Sequence, residues 1–289
     1  MNKDRSVLVT GLARNVAKHL HLEIIKIENE VKKVFSSVNF LIIESDSNDD
    51  TLEVLKNLKK TKNNFNYRCL GELDRTYPNR IERLTLCRNK YVQEIRENKM
   101  YSKTEFIMVI DFDLKNNRLN LTVLKDLINR NDWSGLFANQ TGFYYDIYAL
   151  RKKDWVEKDS FIEYRQLKEN YNPEKAKEIA IWSKMIKISK YAKMISVDSA
   201  FGGLGLYRKN LFLEHDYTSN SNDYFESEHV VFHKKIKEVQ GTLLIVPKLT
   251  NFSWGPHNLS KFKILRFLDR STNMKSLQGI RRFIRKALP

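Results

Sequence analysis

The chain has 289 residues, 42% of them hydrophobic, and a formal charge of +16 from 51 Lys and Arg against 35 Asp and Glu. That apolar share excludes a disordered protein, and the length allows one elaborated core. No stretch approaches the roughly 18–20 apolar residues of a membrane span, two cysteines (Cys69 and Cys87, read as buried thiols) are too few for a disulfide framework, and the charge calls for an anionic partner such as nucleic acid, lipid headgroups or a phosphorylated substrate.

Residues 6–10 read as a first strand of strand length rather than a signal-peptide core, which points to cytoplasmic residence. Residues 11–15 read as a turn that opens a helix over about 16–35. Gly11 there permits close backbone approach to a ligand, and Arg14 offers a guanidinium to a phosphate or simply faces solvent. A second strand, 38–43, runs into Glu44-Ser45-Asp46-Ser47-Asn48-Asp49-Asp50-Thr51 before a helix to about Lys60. Ser47 or Asp49 suits the cap of that helix, and acids such as Glu44 and Asp46 just past a strand suit ribose hydroxyls or a base edge. A third strand, 65–70, and a loop lead to a helix over Arg80–Glu97. On it Arg88 and Asn89 stand either on a solvated face or beside a nucleotide pocket.

The central stretch is Phe106-Ile107-Met108-Val109-Ile110-Asp111-Phe112-Asp113, five apolar residues running into two carboxylates. Such a run suits a strand buried on both faces of a largely parallel sheet, with Asp111 and Asp113 at its carboxyl end, where open α/β sheets bind ligands. Two hard oxygen donors are too few to hold Mg²⁺ or Mn²⁺ alone but suffice when a diphosphate supplies the rest. A polar turn after a strand would need no more than the same two residues.

Further on, a helix near 121–129, a strand at Gly135–Asn139 and an aromatic run over 142–151 are expected. Strand alternation in that run sends Phe143, Tyr145 and Ile147 to one face, as packing or as one wall of a sugar site. Residues 154–191, rich in Lys and Glu with Pro173 near a helix start, read as inserted helices without chemistry. Gly202, Gly203 and Gly205 cluster between two short strands, where backbone amides can meet a ligand, and Asp198 precedes them. Glu226-Ser227-Glu228-His229 opens a helix to about Val239, and a last strand, 243–246, ends at Pro247 ahead of His257. From Asn258 to Pro289 nine basic residues face one acid, Asp269. Leu277, Ile280, Phe283, Ile284 and Leu288 form an apolar stripe flanked by Arg281, Arg282, Arg285 and Lys286, the layout of an interfacial helix on the cytoplasmic face of a membrane.

The order of strands, acidic cluster and Asp-x-Asp resembles the nucleotide-sugar half of a GT-A glycosyltransferase. Residues 43–51 resemble the "DDGSTDGT" segment of those enzymes, with Glu44 as the first acid and Ser45 in place of the second. Together with Arg88-Asn89, Asp111-Phe112-Asp113, residues 145–151, 199–207 and Glu228-His229, the chain from about Val7 to His257 is similar to the fungal capsule-associated mannosyltransferases and their bacterial relatives. The resemblance implies a Rossmann-like, mainly parallel α/β sheet flanked by helices over residues 1–257, with a basic helical tail over 258–289. It implies an enzyme that moves a hexose from a nucleotide diphosphate sugar to a hydroxyl of a growing polysaccharide or lipid-linked glycan, with Mn²⁺ or Mg²⁺. Donor binding falls to Gly11, Arg14, Glu44, Asp46, Arg88, Asn89 and Asp111, and acceptor binding to Tyr145, Gly202, Gly203 and His229. Asp111, Asp113 and His257 are the expected metal ligands, with His229 as competitor for the third. Glu228 and Asp198 are the expected catalytic carboxylates, Glu228 as general base if configuration inverts and as acceptor-positioning residue if it is retained. A nucleotidyltransferase on a similar core would also use paired carboxylates, but would carry a better phosphate loop than Gly11-Leu12-Ala13-Arg14. A nucleic-acid-binding protein would interleave its basic and aromatic residues rather than gather charge in a tail.

Overall fold

The computed structural model describes residues 5–112, 116, 118–218 and 226–251. Its first half runs β1 (Ser6–Ala13), α1 (Ala17–Val31), β2 (Ser37–Glu44), α2 (Thr51–Thr61), β3 (Phe65–Cys69), α3 (Arg80–Glu97), β4 (Phe106–Ile110), α4 (Leu124–Leu127) and β5 (Gly135–Asn139). The second half runs α5 (Ser160–Leu167), α6 (Pro173–Ala180), β6 (Ile195–Val197), β7 (Leu204–Arg208), α7 (Asn210–Glu214), α8 (Glu228–Glu238) and β8 (Leu243–Thr250). All eight strands belong to one sheet, in the order β3-β2-β1-β4-β7-β5-β8-β6. β3, β2, β1 and β4 pair in parallel, β7 is antiparallel to both β4 and β5, and β8 is parallel to β5 and antiparallel to β6. Six strands thus run one way, and the carboxyl ends of β1, β2 and β4 share one edge.

Alternation across the pleat explains the composition of the inner strands. In β4, Ile107 and Val109 enter one core layer, Phe106, Met108 and Ile110 enter the other, and all five are fully buried. The run shows no polar alternation because helices cover both faces. Leu20, Ile24, Ile27 and Val31, at helical spacing on α1, close one layer with Leu55 and Leu58 of α2. Tyr91, Val92 and Ile95 of α3 close the other with Phe232 and Ile236 of α8.

Several expectations are corrected. β1 continues to Ala13, so Gly11 lies in a strand, opposite Ile42, and not in a turn. A Cβ there would stand 2.1 Å from the Ile110 carbonyl oxygen and 2.8 Å from the Phe112 ring, so the glycine lets β1 pass close to the end of β4. Residues 143–151 form no strand. β5 already has β7 and β8 on its two edges, and the run contributes only isolated bridges, Phe143 to Lys187 and Arg151 to Ser199. Pro247 does not end β8; the ladder to β5 shifts register between Ala138 and Asn139 there, as a residue without an N–H requires. Cys69 is exposed, Cys87 buried. Asp113, His257 and the basic tail lie outside the described residues. No helix among the described residues is long and apolar enough to cross a membrane.

His233 sits fully buried with Nδ1 2.8 Å from the Ser199 hydroxyl and Nε2 2.9 Å from the Tyr207 hydroxyl. Burial, with the Arg88 charge, depresses its pKa to about 3. The unfolded ring protonates near its ordinary pKa of about 6.5, so unfolding takes up a proton between those values and stability falls as the pH falls through that window. Thermal melts at about pH 7 and about pH 4 should show a lower midpoint in acid, and His233→Gln should narrow the difference. An equal fall in both proteins would contradict this source of acid sensitivity.

Candidate active site

The carboxyl ends of β1, β2 and β4 and one face of α3 enclose a cavity of about 650 Å³, within the range of roughly 300–1,000 Å³ usual for small-ligand sites. Arg14 enters it after β1, Ser45 and Asp46 after β2, and Asp111 after β4. Arg80, Arg83, Leu84, Cys87 and Arg88 line it from α3, at the three-and-four spacing that puts them on one helix face. Asn79 fixes where that helix begins, its side-chain oxygen accepting from the amides of Ile81 and Glu82.

Much of the acidic cluster builds the turns that carry these residues. The Asn15 amide donates to the Ser47 hydroxyl, the Asn48 amide to the Asn15 side chain, and the Ala17 amide to Asp49 at 3.1 Å. Asp49 also accepts from the Thr51 amide, so one carboxylate serves the starts of both α1 and α2. Asp46 adopts φ +59, a conformation rare outside glycine. Its carboxylate accepts from the amides of Leu73 and Asp74, and Arg83 Nε lies 4.0 Å away. Burial alone would raise this carboxyl; the Asp74 amide, Ser45 and the Leu73 amide outweigh it and hold it below the ordinary range. The Asp46 carbonyl receives Arg14 Nε at 3.1 Å. Glu44 is buried behind the cavity wall, accepting from the Ser47 amide and the Cys69 thiol.

Asp111 is fixed through its backbone, its amide donating to the Gly203 carbonyl and its carbonyl accepting from the Asn116 side chain. Among the described residues no group of three His, Cys, Asp or Glu side chains could hold a metal ion. Asp111 has the chemistry of a Mg²⁺ or Mn²⁺ ligand in the expected position, at a strand end in the cavity, and the other two expected ligands fall outside the described residues.

Arg88 is the feature whose weight the sequence understated. It occupies the buried stripe of α3, four residues after Leu84 and three before Tyr91, where a charge is out of place unless paired. Its Nε donates to Glu228 Oε1 at 2.8 Å, and the guanidinium lies 5.6 Å from the ring centres of both Phe201 and Tyr217. Burial works against that charge, but Tyr91 and Glu228 more than offset it and keep the group protonated. Glu228, the first residue of α8, and His229 also line the cavity. His229 stacks on Phe201 with ring centres 4.0 Å apart, and neither ring nitrogen has a hydrogen-bond partner among the described residues. Burial and the Arg88 charge hold this imidazole neutral, well below its ordinary pKa.

Tyr145 lines the cavity too, while six other expected residues, Gly11, Glu44, Asn89, Asp198, Gly202 and Gly203, do not. Asn89 turns away to clamp the Tyr217 backbone, donating to its carbonyl and accepting from its amide at 2.8 and 2.9 Å. The Gly202 amide is taken by Asp146 and its carbonyl by Gln140 and Asn251, and the Gly203 carbonyl by Asp111, so this loop closes on the protein. Asp198 leaves β6 opposite the start of β8 and lines a second cleft with Arg151, Asp159 and Lys234, apart from Glu228. Conversely, the inserted helices, read as chemically silent, contribute Phe161, Lys177, Ile181, Trp182 and Met185 to the first cavity. No sequence signal separates an apolar helix face that covers a core from one that faces a ligand.

No family model matches the sequence, and no curated protein matches it. Among solved structures, the mannosyltransferase PcManGT from Pyrobaculum calidifontis, in complex with GDP-Man and Mn²⁺, matches with a TM-score of 0.50 and 12% identity over 87% of this chain. The chain spans 57% of that protein's length. S. aureus TarS 1–349 matches with a TM-score of 0.49 and 11% identity, over 94% of this chain and 68% of its own, and its complex with UDP-GlcNAc with 0.44 and 13%, over 87% and 60%. The architecture, a mostly parallel eight-stranded sheet flanked by helices, is that of GT-A glycosyltransferases.

Proposed function

We propose that the chain is a nucleotide-sugar-dependent glycosyltransferase that moves a hexose to a hydroxyl of a growing cell-surface polysaccharide or glycolipid. The observation that carries this reading is the convergence of Asp111, Asp46, Arg14 and Arg88 on one cavity at the carboxyl edge of a parallel sheet. The mannosyltransferase of the same fold, solved with GDP-Man and Mn²⁺, supports it, as does the motif resemblance to the capsule-associated mannosyltransferases.

In this reading Asp111, with Asp113 and His257, would hold a divalent ion. What such an ion supplies is neutralisation of the diphosphate leaving group. Arg14 and Arg83, held by Asp46, are donor-side cations available to phosphate oxygens. Glu228 is the acceptor-side carboxylate: Oε1 belongs to Arg88, and Oε2, which makes no hydrogen bond among the described residues, is the atom to orient or deprotonate an acceptor hydroxyl. His229, neutral at physiological pH, is the second polar group beside it.

Glu228→Gln keeps the shape and removes the charge. Turnover should fall by about a hundredfold or more while nucleotide affinity, read by titration, changes little. Loss of nucleotide binding with normal turnover at saturation would move Glu228 to the donor side. The tail over 258–289 completes the proposal as a peripheral anchor on the cytoplasmic face of the membrane, each basic residue contributing on the order of 1 kcal/mol near an anionic surface. Truncation after Asn258 should abolish salt-sensitive cosedimentation with anionic liposomes, and a full-length chain that ignores such liposomes at low salt would remove the anchor.

A further inference from the structure

Phe161, Lys177, Ile181, Trp182 and Met185 reach the cavity from α5, α6 and the turn after α6, not from the strand ends that carry Asp111 and Asp46. We propose that this insertion is the acceptor subsite, and that the acceptor it takes is a pyranose bearing a carboxylate or a phosphate. The proposal rests on the glycosyltransferase reading above.

Phe161 leaves 39% of its surface exposed and meets Tyr148 edge to face, ring centres 4.7 Å apart and planes at 79°. Trp182, half-buried, belongs to the same wall. Open aromatic rings in a cavity are a surface for an apolar ligand face. A pyranose presents such a face in its axial C–H bonds and keeps its hydroxyls for polar neighbours, here Glu228 and His229.

The wall is set before anything binds. Asp159 accepts from the amides of Phe161 and Ile162 at the start of α5 and pairs with Arg151 at 2.5 Å. The Trp155 indole donates to the Lys184 carbonyl at 2.8 Å, and Lys184 pairs with Glu163 of α5. Rings fixed in this way lose little freedom on binding.

Lys177 gives the wall its charge preference. It stands four residues before Ile181, is exposed, and forms no ion pair among the described residues; its ammonium lies 5.9 Å from the Tyr164 ring. Arg14 and Arg83, by contrast, come from β1 and α3 and are held at Asp46. A cation on the acceptor wall itself is placed to meet an anion carried by the acceptor.

A glycan array of neutral oligosaccharides and their uronate- or phosphate-bearing counterparts, probed with the full chain, tests this. Acid-bearing glycans should be retained over neutral ones. Phe161→Ala and Trp182→Ala should each weaken retention by about tenfold or more, Phe161→Tyr and Trp182→Phe should restore most of it, and Lys177→Gln should remove the preference for acids. Melting midpoints close to wild type certify that the variants fold. Equal retention of neutral and acidic glycans, or undiminished retention in both alanine variants, would overturn the proposal. Donor hydrolysis by the wild-type preparation, read in parallel, separates the two levels: hydrolysis without any retained glycan overturns the subsite, and absence of hydrolysis overturns the reading beneath it.

Discussion

Asp111→Asn is expected to reduce sugar transfer by about a hundredfold or more while leaving the melting midpoint within a degree or two of wild type, because the lost carboxylate would hold the divalent ion that meets the substrate's phosphates and takes no part in the core. The structure favours this separation of activity from stability. Asp111 is anchored by its own backbone, to Gly203 and Asn116, and the fully buried β4 before it closes the core without the carboxylate. The measurement is transfer or donor hydrolysis at saturating nucleotide sugar, with a thermal melt on the same preparation. Near-wild-type turnover that also survives EDTA would exclude a metal-assisted reaction at this carboxylate.

Arg88→Met should behave in the opposite way and lower stability by about 3–5 kcal/mol, the range for removing one partner of a buried ion pair. Both side chains are almost fully buried, 6% and 4% exposed, so Glu228 would be left as a charge with no counterion at 2.8 Å. The loss also removes a cation from between Phe201 and Tyr217. Denaturant titration of Arg88→Met, Glu228→Gln and the double variant closes a cycle. The double variant should be more stable than Arg88→Met alone, since an uncharged Gln tolerates the apolar partner better than a stranded carboxylate. Strict additivity of the two single effects would mean that the pair is not coupled.

The half of the site that lies on the sheet was legible because two independent patterns coincide there. The run Phe106–Ile110 has no polar alternation, which only a strand covered on both faces permits, and the acid that follows must then emerge at a carboxyl edge. The same logic placed β1 and β2 in the sheet, although β1 runs three residues past its expected end, and with them Arg14 and Asp46 at the carboxyl edge. Arg88 was legible in principle: it interrupts an apolar stripe at helical spacing, and a buried cation implies a buried acid. Which acid requires the fold, since Glu228 is 140 residues away.

The rest depended on tertiary neighbours. Gly11 reads as turn material until the Ile110 carbonyl is known to pass 2.1 Å from where its Cβ would be. Phe143, Tyr145 and Ile147 alternate as in a strand, but β5 offers no open edge to pair with, so the run closes over the cavity as a loop instead. Glu44 and Asp46 were read as ligand groups, yet Asp46 spends its carboxylate on the backbone amides of Leu73 and Asp74, a use that short polar side chains share with ligand binding.

The central claim, that the cavity at the carboxyl edge cleaves a nucleotide sugar, is tested most directly by nucleoside diphosphate release. The full chain, with Mn²⁺ and without acceptor, is incubated with a panel of UDP-, GDP-, ADP- and dTDP-linked sugars, beside Asp111→Asn. The account predicts slow release from one or two donors by the wild type, abolished by EDTA and by the substitution. Release from none of them, with no shift of the melting midpoint by any donor, would contradict it.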